Sequence, residues 1–454
     1  MATPSFQAMP LEILFRIALG TVDCHNALVS LPLVSKQMYI ASIGNLYNKV
    51  NENALAILAQ PSSACQEIVG GRHLAYYVEH IDISDKISND TFLTYFLDAF
   101  NNISRYAKKK STFTFRPFYL FDLNPVSPTA RLAYNQFESV SLRCSRPPVF
   151  GNELFSALMN VLTSERLKHL MLDFYMVSIA AAVKALTRVQ QCSSSLKTLH
   201  LTFDALHQGS SSSIKTLFDS PSFIFPLLED LHVSDYHGDL DISTFLDRHP
   251  NITKLSYVPG WRVDLSSFLK DPRVLPQLKY LCGCGFVIMA VASHPSRPLV
   301  SVGITDWNPN PGNISTLIEG LLQIPTCREF TLLLDDWFMI PELRRFQSVF
   351  KELRLFECNL LTNTTIPVKT VIDSFYDVCT DISPCLSFLI VHTFCPKSDL
   401  LERLHRDAID IAWTGRLMTT ALHITILCGR AGDVLLQLDI PVSSALTANP
   451  LSIT

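Results

Sequence analysis

The chain has 454 residues, 48% hydrophobic and only 17% charged. An average soluble domain carries roughly 25% charged residues, so a disordered chain is excluded, and the length calls for several domains or a repeat array. The net charge of −4 and a single basic cluster, Lys108-Lys109-Lys110, leave no basic footprint and argue against nucleic-acid binding.

Targeting and membrane segments are not expected. Met1–Gly20 has no basic n-region, and Pro10 and Glu12 interrupt its apolar run. The longest apolar stretches, Phe286–Ala292 and Leu386–Val391, fall far short of the ~20 residues a spanning helix needs. A cytoplasmic and/or nuclear location follows as an expectation, with no membrane partner. In that reducing setting the twelve cysteines should be thiols packed as small hydrophobes. The sequons starting at Asn102, Asn251, Asn313 and Asn363 should stay unmodified.

Residues 10–48 read as three short helices. Pro10 suits a first helical position, and Glu12 complements the N-terminal dipole. Leu11, Leu14, Phe15, Ala18 and Leu19 recur at helical spacing before Gly20-Thr21 ends the run. Asp23 or Asn26 can cap a second helix to about Leu31. Pro32 opens a third over Leu33–Asn48, with Val34, Met38, Ala41 and Leu46 on one side. Three helices this short bury little surface by themselves and need a partner, either the rest of the chain or another protein.

From about residue 78 a short L-x-x-L-x-L strand recurs. The matches are Val78-Ile81-Ile83, Phe137-Val140-Leu142, Leu167-Leu170-Leu172, Leu196-Leu199-Leu201 and Leu228-Leu231-Val233. They continue as Ile252-Leu255-Tyr257, Leu278-Leu281-Gly283, Leu299-Val302-Ile304, Cys327-Phe330-Leu332 and Phe350-Leu353-Leu355. After a first step of 59 residues, wide enough to hide a degenerate repeat, successive starts lie 21 to 32 residues apart. Leucine-rich repeats have periods of about 20–29 residues, with insertions in individual copies.

Helix-like segments lie between the strands at Leu154–Leu162, Ile179–Val189, Ile214–Phe218, Phe245–Leu246 and Ile314–Leu322. Proline-bearing approaches precede several strands: 225–231 (FPLLEDL), 249–255 (HPNITKL) and 275–281 (LPQLKYL). Proline there stops the helix and presets the turn into the strand. One unit is then strand, helix and proline-marked return, stable only when stacked on its neighbours.

Strand side chains alternate, so the residues between the apolar ones should point outward. These include His169, Met171, Asp173, Thr198, His200, Asp230, His232, Lys254, Tyr280, Glu352 and Arg354. Of these, His169, Asp173, His200, Asp230, His232 and Arg354 are the candidate contacts to a target protein. His200 and His232 occupy equivalent outward positions. Beyond Leu360 the period fades: Leu386-Leu389-Val391 and Leu435-Leu438-Ile440 suggest further strands, Leu400–Ile411 a charged helix, and the whole a terminal cap.

No P-loop, GxSxG elbow or HExxH occurs, so no enzyme and no cofactor are expected. Cys282-Gly283-Cys284 with His294 lacks the paired spacing of structural zinc and reads as packing thiols. Asp335-Asp336-Trp337 reads as a solvated acidic loop after a strand.

Residues 9–43 resemble an F-box. The opening element reads Met9-Pro10-Leu11-Glu12-Ile13-Leu14 with Ile17, and the closing element reads Leu33-Val34-Ser35-Lys36, then Tyr39 and Ala41. The middle reads His25-Asn26-Ala27-Leu28, and Met38 or Tyr39 stands where the family places tryptophan. The phrases at Phe225–Leu231 and Phe245–Leu255 are similar to those in the leucine-rich half of large fungal F-box families. Most strands lack the consensus asparagine that follows them, while Cys358 sits where a cysteine-type repeat would place its cysteine.

The resemblance implies an α/β solenoid: a three-helix F-box over residues 5–50, a helical connection over 51–77, an irregular leucine-rich-repeat horseshoe over 78–360, and C-terminal repeats or a cap over 361–454. It implies a substrate receptor of an SCF-type ubiquitin ligase, docking through a Skp-family adaptor to a cullin while the solenoid holds a target. Pro10, Leu11, Ile13, Leu14, Ile17, Leu33, Val34 and Tyr39 would then meet the adaptor. Two other readings stay open: an F-box protein that recruits no cullin, and a leucine-rich interaction protein whose N-terminal helices only cap the solenoid.

Overall fold

The structure is a computed structural model. It describes residues 36–61, 73–83, 91–108, 111–115, 137–144, 164–175, 179–191, 193–204, 212–235, 240–258, 265–292, 296–305, 327–334, 355–360, 388–393, 422–428 and 436–442, and singly Leu14, Leu162, Glu319, Leu321, Leu322 and Ile324. Two compact units divide the chain, Met1–Leu228 and Glu229–Thr454.

In the first unit the strands are β1 (Lys49–Val50), β2 (His80–Ile83), β3 (Thr112–Phe115), β4 (Ser139–Cys144), β5 (His169–Tyr175) and β6 (Thr198–Asp204). Each pairs in parallel with the next in sequence. The second unit continues with β7 (Asp230–Asp235), β8 (Lys254–Val258), β9 (Tyr280–Gly283), β10 (Ser301–Ile304), β11 (Glu329–Leu334), β12 (Leu355–Leu360), β13 (Phe388–Thr393), β14 (Leu422–Cys428) and β15 (Leu436–Val442). Pairing is again sequential and parallel through β14, and β15 then runs antiparallel to β14.

Parallel neighbours require a crossover, and each crossover carries the chain over the back of the ladder. The helices found there are α2 (Leu55–Leu58), α3 (Thr91–Tyr106), α4 (Ile179–Gln191), α5 (Ser212–Asp219), α6 (Ser243–Asp247), α7 (Ser266–Leu269) and α8 (Gly285–Ala292), after an N-terminal α1 (Lys36–Leu46). Strand, crossover and next parallel strand repeated in sequence order make each unit an α/β solenoid of the leucine-rich type.

The inward rows supply the core. Ile81, Phe113, Val140, Leu170 and Leu199 are register partners and all buried, as are Ile83, Phe115, Leu142, Leu172 and Leu201. In the second unit Leu231, Leu255, Leu281, Val302 and Phe330 form the matching row. Each fully buried leucine contributes roughly 1.5–3 kcal/mol of transfer free energy. Helix α3 closes the back of β3 with aromatics: Phe100 lies 5.2 Å from Phe113 and Phe96 lies 5.6 Å from Phe115, ring centre to ring centre.

The ladder extends one residue ahead of the strands. Glu138 O accepts from both Lys168 N and His169 N, and Lys168 O accepts from Lys197 N and Thr198 N. In the second unit Glu229 O, Thr253 O, Lys279 O and Val300 O each accept two successive N–H groups from the following repeat. This shared acceptor fixes the start of each strand.

Arg297 and His249, both buried at the crossovers, bond backbone carbonyls. Arg297, 3% exposed, donates to Leu269 O at 2.8 Å, at the end of α7, and to Asp271 O at 2.6 Å and Val274 O at 3.0 Å in the turn that follows. Burial pushes its guanidinium pKa down. His249 sits over Phe245 and bonds Phe245 O through Nδ1 at 2.6 Å, and burial lowers its pKa below the usual histidine value. Leu275, just before Pro276, has φ 48, a left-handed conformation that costs a non-glycine residue about 1–3 kcal/mol.

Several sequence expectations change. The wide first step does hide a repeat, β3, and the ladder begins earlier still, at β1. The expected hexad Phe350-Leu353-Leu355 is displaced: β12 covers Leu355–Leu360, and Phe356 and Cys358 take the register positions of Phe330 and Leu332. Cys358 is therefore inside a strand, not after one. The segments Leu154–Leu162, Ile314–Leu322 and Leu400–Ile411 lie outside the described residues, save Leu162, Glu319, Leu321 and Leu322.

Candidate protein-interaction surfaces

Two surfaces were expected to carry function, the N-terminal helices and the outward rows of the ladder. Of the expected adaptor contacts, Pro10, Leu11, Ile13, Ile17, Leu33 and Val34 lie outside the described residues. Leu14 is fully buried in one cluster with Met38 and Ala41 of α1, so it packs inside the chain. Tyr39, on the same helix, is half-buried. Ser42 is also buried, and its Oγ donates to Met38 O at 2.7 Å. Gly44 lies against Tyr77, whose ring carbon is 3.5 Å from where a Cβ would stand. Helix α1 thus packs on the single helical turn Leu74–Tyr77 that leads into β2.

That turn is capped by His73. Its Nδ1 accepts from Ala75 N at 3.0 Å, which leaves Nε2 to donate to Gln60 O at 3.1 Å, and its ring stacks on Tyr106 of α3. Asn102, which begins a sequon, donates its amide to Leu58 O at 2.9 Å and Gln60 O at 3.2 Å. Sequence reasoning anticipated neither contact, because each is made to backbone carbonyls distant in sequence.

On the outward face of the first unit, Lys49, His80, Thr112, Ser139, His169 and Thr198 share one register row. Asp82, Thr114, Ser141, Met171 and His200 share the next, and Arg143, Asp173 and Thr202 a third. Adjacent strands pair their polar groups. His80 Nδ1 meets Thr112 Oγ1 at 2.9 Å, and His169 Nδ1 meets Thr198 Oγ1 at 3.0 Å. Arg143 Nε donates to Asp173 Oδ2 at 2.8 Å, and Lys49 Nζ lies 3.2 Å from Asp82 Oδ2. At the strand entrances Lys168 pairs with Glu138 at 3.5 Å, while Glu79 accepts from Asn48 and Ser111.

On the second unit Asp230, Lys254, Tyr280, Ser301 and Glu329 form one row, and His232, Ser256, Cys282, Gly303 and Thr331 the next. Strand β10 is buried on both sides. Its outward residues are small, and a Cβ on Gly303 would lie 2.8 Å from Cys282 Sγ, so the thiol leans over the glycine.

The expected contacts His169, Asp173 and His200 therefore share one face of the first unit, and Asp230 and His232 one face of the second. His200 and His232 belong to different units. Arg354 is not on a described strand, since β12 starts one residue later, and Glu357 takes the register position beside Thr331. Glu352 likewise precedes that strand.

Cys282 lies on β9, as the sequence implied, and Cys282, Cys284 and Cys327 form no disulfide. His294 and Asp335-Asp336-Trp337 lie outside the described residues. Burial pushes the Cys327 thiol up to about 11. Among the described residues no group of three His, Cys, Asp or Glu could hold a metal ion, and no helix is long and apolar enough to cross a membrane.

No family model and no curated protein matches the chain. Several solved structures are similar to it, two of which follow. The leucine-rich repeat-containing protein LegL7 from Legionella pneumophila aligns over 72% of this chain and 98% of its own, with 14% identity and a TM-score of 0.38. A chain of the Rad7 and Elc1 complex in yeast aligns over 86% of this chain and 94% of its own, with 13% identity and a TM-score of 0.31. The solenoid assignment rests on this chain's own sequential parallel ladder and its two buried apolar rows.

Proposed function

We propose that the chain is a non-catalytic adaptor, the substrate-recognition subunit of an SCF-type ubiquitin ligase working in the cytoplasm and/or nucleus. The helices within 5–50 dock on a Skp-family adaptor and through it a cullin, and the solenoid over 78–360 holds a target protein on its outward rows. Residues 361–454 close the array. Pro10, Leu11, Ile13, Ile17, Leu33, Val34 and Tyr39 meet the adaptor. Leu14 supports them from inside the module. His169, Asp173, His200, Asp230 and His232 meet the target.

The observation that carries this reading is the two-part motif at Met9–Leu14 and Leu33–Lys36 placed directly ahead of a solenoid with a polar outward face. An apolar helical module of this size is covered naturally by a partner's helical groove.

The test is a pull-down of the purified chain with a Skp-family adaptor, comparing wild type with a Pro10→Ala, Leu11→Ala double variant. Binding lost in the variant, with unchanged circular dichroism, is the expected result. A central anchor should be worth about 2 kcal/mol or more. Absence of binding by wild type would overturn the docking role. Co-purification of a cullin separates a ligase subunit from an F-box protein that recruits none.

A second reading is favoured by a specific observation. Met38, Ala41, Ser42 and Ile43 are all buried, and Gly44 packs on Tyr77. Helices held this way serve equally as the N-terminal cap of a leucine-rich interaction or scaffold protein uncoupled from ubiquitination. A wild-type chain that ignores the adaptor yet is destabilised by removal of residues 1–46 is what this second reading expects.

A further inference from the structure

We draw no further inference here: the strongest candidate, the exposed apolar patch made by Ile224 and Leu227 on the proline-marked approach at the end of the first unit, has nothing in the structure to show what covers it.

Discussion

The packing of the second unit can be tested through two strand glycines, Gly283 in an inward row and Gly303 in an outward one. Gly283 and Gly303 each face the preceding strand, with Tyr257 and Cys282 as their register partners. A Cβ on Gly283 would meet Tyr257 O at 2.9 Å, and one on Gly303 would meet Cys282 Sγ at 2.8 Å. The obstacle is rigid backbone in the first case and the end of a side chain in the second. Forcing an extra carbon into a packed site costs about 1–3 kcal/mol. Against this, alanine in place of glycine stabilises by about 0.4–1 kcal/mol through the unfolded chain where the backbone angles suit it.

Gly303→Ala should therefore be destabilising alone and less so in a Cys282→Ala background, where only the Cβ at 3.2 Å remains, a coupling of about 1 kcal/mol. Gly283→Ala should stay destabilising whatever replaces Val287, whose Cγ1 is at an ordinary 3.5 Å. All four tryptophans, at 261, 307, 337 and 413, fall in the second unit, so tryptophan emission during urea unfolding reports on it selectively. Additivity of Gly303→Ala and Cys282→Ala within about 0.5 kcal/mol, the limit for independent sites, would refute the placement of the thiol over the glycine.

Leu14→Ala should cost about 2–5 kcal/mol, as expected for a buried leucine, and should reduce helical circular dichroism and protease resistance of the N-terminal helices. A wild-type signal in that variant would remove Leu14 from the core. The Arg143–Asp173 pair is part-exposed, so a double-mutant cycle with alanine should give a coupling of about 1 kcal/mol or less that shrinks in high salt. A larger, salt-insensitive coupling would mean the pair is more deeply enclosed. His249 has a folded pKa below its unfolded value of 6.5, because burial outweighs its bond to Phe245. The unfolded chain therefore binds the proton first, and stability should be level above about pH 6.5 and fall as pH drops below it. His249→Gln should flatten that difference in paired urea titrations, and parallel curves for the two proteins would contradict the assignment.

The ladder was legible where the hexad carries three apolar residues in full. Strand β3 escaped notice because the position three residues before Phe113 is Lys110. The strand is instead held by the aromatic contacts of α3, a helix whose pairing with it no short window displays. Strand β1 has two residues, too few for any alternation. Strand β14 offers Ala421 as the first member of its triplet, a weak apolar signal.

The displaced hexad before β12 has a different cause. Phe350-Leu353-Leu355 and Leu353-Phe356-Cys358 both satisfy the pattern, and only hydrogen bonding to β11 selects the second frame. The choice matters for register, because it sets Glu357, and not Arg354, beside Thr331. Helix α1 was legible through Met38 and Ala41, but its contact with Tyr77, made through Gly44, is not something that spacing alone reveals.

Under the proposed reading, the outward face of the first unit also constrains how a target would be recognised. Lys49–Asp82 and Arg143–Asp173 pair a cation with an anion on the neighbouring strand, and Lys168–Glu138 does so at the strand entrances. Charges neutralised within the face add little long-range attraction, so they steer an approaching protein weakly. They do hold long side chains in place, which lowers the ordering cost of making a contact. The Thr112 and Thr198 hydroxyls, bonded to the His80 and His169 imidazoles, add short-range hydrogen-bonding groups on the strands. A target held here would be selected by the match of its polar groups to that pattern, and its affinity should change little with ionic strength.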